Sequence, residues 1–201
     1  MSEASAIQKL IHYFEKRIPL SERDKEMIAA LYKPVHFKKK DFLFQQGEIC
    51  RYQGFVTKGA FRTYYTDDKA IEHVLYFAFE DWWVGDIASF SSQEPSGLNV
   101  QALQDSELLT INYSDSEKLF AEIPALEKVF RIIIQRHLTV LQKRFLMTVS
   151  ANAEVRFLEL LDRCPTIEQM VPQHQIASYL GILPESLSRM KKQIAKREKG
   201  Q

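Results

Sequence analysis

Apolar residues first recur at helical spacing. Ile7, Leu10, Ile11 and Phe14 are three or four apart, and Met27, Ile28 and Leu31 repeat the pattern behind Ser21 and Asp24, a pair suited to opening a helix. Two helices are predicted within residues 3–31, with Pro34 as the stop. From about Val35 to Tyr113 the period shortens. Short aromatic and β-branched runs, HFKKKDFLF, GFVTKGAFRTYYT and AIEHVLYFAF, are cut by polar breaks. Gly47, Gly54, Gly59, Gly85 and Gly97 are expected at turns, and Asp67-Asp68-Lys69 at a hairpin tip. Many short strands at this spacing imply an antiparallel barrel or jelly roll. VLYFAF is apolar on both faces, which suits a fully covered strand.

Beyond Tyr113 the pattern is helical throughout. Ser114 with Glu117 resembles a capping box. Pro124 restarts the chain into a long helix reaching about Ser150, with two apolar stripes. One holds Leu126, Phe130, Ile133, His137, Val140 and Met147, interrupted by Arg144; the other holds Phe130, Ile134, Leu138, Leu141 and Phe145. One stripe could cover the β-region and the other meet a partner helix, or a single helix could be buried inside a monomer. The first set is assigned to the dimer helix. VRFLELL is a further helix, broken at Cys164-Pro165.

The next stretch, VPQHQIASYLGILPESLSRMKKQI, carries a denser pattern. A helix–turn–helix needs a small residue where its helices cross, here Ala177, and a glycine four residues on for positive φ, here Gly181. Ile176, Leu180, Ile182, Leu187 and Met190 lie where the inter-helix angle must be braced. Gln173, Ser178, Glu185, Ser186, Ser188, Arg189 and Lys192 are the polar, outward set. Pro184 suits the first turn of the second helix, whereas Leu183 is a poor N-cap. The alternative is an ordinary helical hairpin. That reading must place Ala, Gly and five apolar positions in register by accident, so the DNA-reading motif is preferred.

Composition narrows the classes. The chain has 201 residues, 45% apolar and 26% charged, enough to build a core and unlike a disordered segment. Net charge is +1, but Lys191–Gln201 holds five basic side chains against one acidic, so everything before it is net negative. One anion-facing end is the implication. Cys50 and Cys164 are isolated, which argues against a disulfide framework or zinc site and for a reducing cytosol. The polar start MSEASAIQKL does not read as a signal peptide, and no apolar run is long enough to span a membrane. His12, His36, His73, His137 and His174 are too dispersed for metal ligation. Trp82 and Trp83 suit packing better than a ligand pocket, and Lys38-Lys39-Lys40 suits a solvated turn better than a DNA contact. No GxSxG, P-loop or paired-carboxylate spacing supports an enzyme. No metal and no cofactor is expected.

Taken in order, QQGE…GFVTKGAFRTYY, EDWWVGDIASF…QALQDSELLTI and QIASYLGILPESLSRMKK resemble the cyclic AMP receptor protein and FNR family of bacterial transcription regulators over nearly the whole chain. The short C-terminus, with little room for a β-wing, looks like a Bacteroidetes-type subgroup. The resemblance implies an α+β fold. Its parts would be a cyclic-nucleotide-binding-like β-roll (jelly roll) sensor over residues 1–122, a dimerisation helix over 123–150, and a winged-helix-like helix–turn–helix over 151–201. It also implies a cytoplasmic homodimer on double-stranded DNA, a possible contact to RNA polymerase, and a small-molecule effector of unknown identity. The family reads bases through an Arg-Glu-xxx-Arg pattern. The matching positions are Pro184, Glu185 and Arg189, so one arginine is missing. Glu185 could accept from cytosine and Arg189 donate twice to guanine, while Gln173, Ser186, Ser188 and Lys192 are placed for phosphates.

At the sensor the likeness is weaker. The family's phosphate-binding cassette joins a Gly-Glu to an Arg-Ser about a dozen residues later. Here Gly85-Asp86 has a shortened acid and Ser96-Gly97 lacks the arginine. The backbone N–H groups of Gly85, Asp86, Ile87 and Ala88 could still form an anion-friendly turn. Without a cation, cyclic AMP is not expected as the effector, unless Arg51, Arg62 or a lysine reaches in from another strand. The alternative to a regulator is a small-molecule-binding or protein-interaction module whose helix–turn–helix is vestigial.

Overall fold

The computed structural model describes residues 3–199, with the side chains of Glu198 and Lys199 outside the description. The end of the basic C-terminal run, including Gly200 and Gln201, therefore lies outside the described residues, as do Met1 and Ser2. Helices α1 (Glu3–Glu15) and α2 (Glu22–Leu31) open the chain. The second begins with a capping box: Asp24 N–H donates to Ser21 Oγ at 3.2 Å, and Ser21 N–H to Asp24 Oδ2 at 2.8 Å. Each bond satisfies a donor that the first helical turn would otherwise leave bare.

Eight strands follow: β1 (Lys33–Phe37), β2 (Phe42–Phe44), β3 (Tyr52–Lys58), β4 (Phe61–Thr66), β5 (Glu72–Ala78), β6 (Trp83–Val84), β7 (Asn99–Ala102) and β8 (Ser106–Asn112). A short helix, α3 (Ile87–Ser92), separates β6 from β7. All pairings are antiparallel, and they form two four-stranded sheets, ordered β1-β8-β3-β6 and β2-β7-β4-β5. This is the jelly-roll architecture. Alternation along each strand sorts side chains between layers. Val56 and Leu108 enter the roll interior with Phe44, Phe61, Val100 and Phe90, while their neighbours Phe55 and Leu109 face the other way.

That outer face of the first sheet is covered by α1, α2, α4 (Tyr113–Glu122) and the start of α5 (Ala125–Ser150). Leu10, Phe14, Ile28, Leu119, Leu126 and Val129 form the apolar cover, with Phe14, Phe55 and Phe130 around Trp83. The expected cap of α4 sits two residues early: Asn112 accepts from Asp115 N–H at 2.8 Å, rather than Ser114 pairing with Glu117. Gly54 is also not at a turn. It lies within β3, where an added Cβ would meet Leu108 Cδ1 at 2.8 Å, so glycine there admits the neighbouring strand's side chain.

The C-terminal part comprises α6 (Ala153–Arg163), α7 (Ile167–Met170), α8 (Gln173–Leu180) and α9 (Pro184–Lys199). Among the described residues no strand follows β8, and the C-terminal part is a helix–turn–helix on a helical support. It packs on the outer face of the second sheet: Tyr64, Val74 and Phe77 share one apolar cluster with Phe157, Ile167, Ile176, Leu180 and Leu187. This explains VLYFAF. Val74 and Phe77 meet the helices and Ala78 faces the roll, while Leu75, at an irregularity in the β4–β5 ladder, stays exposed.

Candidate nucleic-acid interface and sensor pocket

Gly181 takes φ +67° and ψ +35°, and its N–H reaches the carbonyls of Ala177 and Ser178. Ile182 N–H also returns to Ala177 O at 3.0 Å. Left-handed backbone at this point ends α8 and starts the turn, which an L side chain resists. Ala177, Ile176, Leu180, Leu187 and Met190 are buried between the helices, and Ile182 packs partly against them. Leu183 lends α9 no side-chain cap; its carbonyl accepts from Ser186 and Leu187 N–H groups.

The polar set divides. Gln173, Glu185, Arg189 and Lys192 are exposed, and Ser186 and Ser188 are half-buried. Arg189 Nη2 donates to Ser186 Oγ at 3.3 Å, a loose contact that leaves most of the guanidinium free. Two cations of the basic end are paired instead: the half-buried Lys191 with Glu168 on α7, and the exposed Arg197 with Glu154 on α6 at 2.7 Å. Gln175 is buried with an unpartnered Oε1, a residue for which the sequence offered no signal. Ser178 departs from expectation. It is not on the open face but bonded to β5, and Arg144, the charge that interrupts the first apolar stripe, joins it there.

In the β-roll, Gly85, Asp86 and Ser96 come together. Asp86 caps α3 by accepting from Ala88 N–H at 3.0 Å, and Ser96 Oγ donates to its other oxygen at 2.7 Å. Ser96 in turn accepts from Leu98 N–H at 3.0 Å. The position where the family carries a free cation is thus a buried serine committed to the acid opposite. Tyr76 donates to Gly85 O at 2.7 Å, and burial pushes its phenol up to about 12. Cys50 lies alongside: its sulfur accepts from Asp86 N–H at 3.4 Å and donates to Tyr52 O at 3.3 Å, and burial lifts the thiol to about 11. Ile87, Ala88 and Gly97 are exposed. Arg62 does not enter this space. Its side chain stays on the second sheet's outer face, forked onto Glu72, bonded to Gln101 and stacked over Tyr64 at 4.0 Å. Arg51 is exposed and lines an open cleft with Leu43, Glu48 and Tyr52.

The two stripes of α5 are used differently along the helix. Leu126 and Ile133 are buried in the protomer's own core with Phe130 packed against them, so these members of the set assigned to the dimer contact are used internally. His137 and Val140 are exposed and Met147 half-buried. The His137 ring lies edge-on to Tyr76, and partial desolvation there holds its pKa below the usual histidine value. Beyond Phe130 the second stripe is bare: Ile134 is 46% exposed, Leu138 53%, Leu141 61% and Phe145 68%.

Residues 34–122 match the family model described as the cyclic nucleotide-binding domain. The transcriptional activator protein Anr of Pseudomonas protegens is 23% identical over 164 residues, which cover 76% of this chain and 66% of that protein. The chain therefore spans just under two thirds of this curated relative. Among solved structures, the c-di-GMP responsive global regulator CLP of Xanthomonas campestris superposes with a TM-score of 0.71 at 16% identity, covering 89% of this chain and 93% of that one. A crp/fnr family regulator from Eubacterium rectale gives 0.69 at 18% identity, covering 91% and 89%. At such identities the structures speak for the fold, and the family model speaks for residues 34–122. Residues 34–122 thus belong to the cyclic nucleotide-binding domain family, and the chain as a whole is similar in sequence to the transcriptional activator Anr and in fold to regulators of the crp/fnr family.

Proposed function

We propose that this protein is a homodimeric transcription regulator that reads a near-palindromic DNA site through α9. The observation that carries the reading is the α8–Gly181–α9 unit, whose buried residues fix the helix angle while Glu185, Arg189 and Lys192 stay open to solvent. Arg189 would donate to guanine and Glu185 accept from cytosine, with Gln173, Ser186, Ser188 and Lys192 on phosphates. Pro184 lacks the side chain to read a base in the remaining family position, so the preferred site differs from that of an Arg-Glu-xxx-Arg reader.

The second copy would seat on Ile134, Leu138, Leu141 and Phe145. Their intervals of four, three and four residues are those of a two-helix seam. A paired α5 would then space two recognition helices by about one DNA turn, roughly 34 Å. The sensor would respond to something other than cyclic AMP, because Asp86 and Ser96 already satisfy each other. A cytoplasmic setting follows from the role.

The test is retention of the purified chain on duplex DNA across a salt series, followed by selection of bound sequences from random duplexes. Retention that falls steeply with salt, and enrichment of a two-fold symmetric sequence, are the expected results. Absence of salt-dependent retention would favour a ligand- or protein-binding module instead.

A further inference from the structure

Strand β5 ends the second sheet, with only β4 beside it, so its other edge should present unpaired backbone groups. Here the helix–turn–helix covers that edge. Val74 N–H donates to Ser178 Oγ at 3.0 Å, and the same hydroxyl donates to Glu72 O at 2.7 Å. One serine thus replaces a missing strand's donor and acceptor. Arg144 of α5 closes the seam from the other side. Its guanidinium donates to the carbonyls of Leu75 and Val74, the latter at 3.1 Å, and to Tyr179 O on α8 at 2.8 Å. It also stacks on the Tyr179 ring at 4.0 Å, and that ring lies 5.4 Å from Phe77 of β5.

Three units therefore meet at one cation: the long helix, the sensor's edge strand and the first helix of the reader. The seam uses the Ser178–Tyr179 flank of α8 and leaves Gln173, Glu185, Arg189 and Lys192 open. A seam that occluded DNA would bury those residues; this one fixes their direction instead. We infer that Arg144 and Ser178 are positioning residues for DNA reading, which lock the helix–turn–helix to the β5 edge and so hold the two readers of a dimer in the orientation a two-half-site duplex requires.

The inference rests on the proposed DNA-reading dimer, and it makes a demand that the reading alone does not. A fixed orientation raises the effective concentration of the second reader at the second half-site, but does nothing for a single half-site. The experiment uses the full chain with Ser178→Ala, Arg144→Leu and Arg144→Lys. Each is followed by amide exchange at residues 72–75 and by affinity for a selected duplex and for the same duplex with one half scrambled. Ser178→Ala removes a single hydroxyl and keeps the test alive should Arg144→Leu fold poorly.

The expected result is faster exchange at Val74 with about a ten-fold loss on the full site, little change on the half-site and an unaltered salt slope. Arg144→Lys should fall between, because an ammonium cannot serve three carbonyls and a ring together. Unchanged exchange would show that the seam does not form in solution and overturn the inference. So would faster exchange with unchanged or raised full-site affinity, or with equal loss on both duplexes. If the parent chain binds no duplex, the proposed function falls and this positioning role with it. If the parent binds and the variants behave as the parent does, the inference alone falls.

Discussion

At the residue scale the reader is most exposed to test. Arg189→Ala should cost about 1–3 kcal/mol on the selected site and relax preference at one base pair, since the proposed bidentate guanine contact would be lost. Lys192→Ala should weaken all duplexes alike and flatten the salt dependence, because the proposed phosphate contact would carry no sequence. Binding curves on selected and random duplexes check both; equal losses everywhere for Arg189→Ala would remove it from base reading. The cysteines give a second, independent check. Cys50 is buried, with its thiol lifted to about 11, so the reactive thiolate is scarce as well as shielded. A maleimide reagent should label Cys164 first, and Cys50 labelling should stay slow up to about pH 9, rising only as pH approaches that lifted value. Prompt labelling of both at neutral pH would mean the Asp86–Cys50 region opens readily. Residue types alone carried part of this picture. Gly181 announced its turn because positive φ is a local demand, and Ser21 with Asp24 announced a cap for the same reason. Gly54 misled, because the side chain that excludes a Cβ there belongs to Leu108, 54 residues away along the chain and visible only across the sheet.

At the element scale, α5 shows what periodicity does and does not contain. Both apolar stripes were readable in the sequence, and their spacing was right for a helix. Nothing in a period says which neighbour a stripe meets. That was decided by α1, α2 and the first sheet, which take Leu126, Val129 and Ile133. The two stripes should therefore fail differently. Leu126→Ala removes packing from a fully buried site and should cost about 2–5 kcal/mol of folding stability. Phe145→Asp removes nothing from the protomer core but sets a charge in the proposed seam, where its partner copy would desolvate it. Chemical denaturation and light scattering separate the cases. Leu126→Ala should unfold earlier while remaining dimeric when folded; Phe145→Asp should be monomeric with its protomer fold retained. A Phe145→Asp chain that remained dimeric at micromolar concentration would move the contact elsewhere on α5.

At the scale of the whole molecule, the order of parts was legible, because each part has its own period and its own punctuation. The junctions were not. Ser178 looked like a solvent-facing polar residue, yet its partners are more than 100 residues away on β5. Likewise, the family resemblance set Asp86 and Ser96 in one cassette, but only the folded loop shows the two hydrogen-bonded to each other. The consequence for ligand choice can be followed through. A cyclic phosphate carries a full negative charge, and moving it from water into the roll requires a fixed cation with aligned donors. Ser96 supplies neither; its hydroxyl is turned to Asp86, whose charge would repel the phosphate. Arg62 could help only by leaving Glu72, Gln101 and the face of Tyr64. Lack of a buried charge-assisted contact costs about 2–5 kcal/mol, roughly thirty-fold to several thousand-fold in affinity. Calorimetric titration of the purified chain with cyclic AMP and cyclic GMP should accordingly show no saturation at low micromolar concentration. Asp86→Glu combined with Ser96→Arg restores the acid length and the fork, and should raise cyclic AMP affinity above the parent's. Saturable, one-to-one low-micromolar binding by the parent would mean that another cation reaches the roll and that the Asp86–Ser96 bond yields to the ligand.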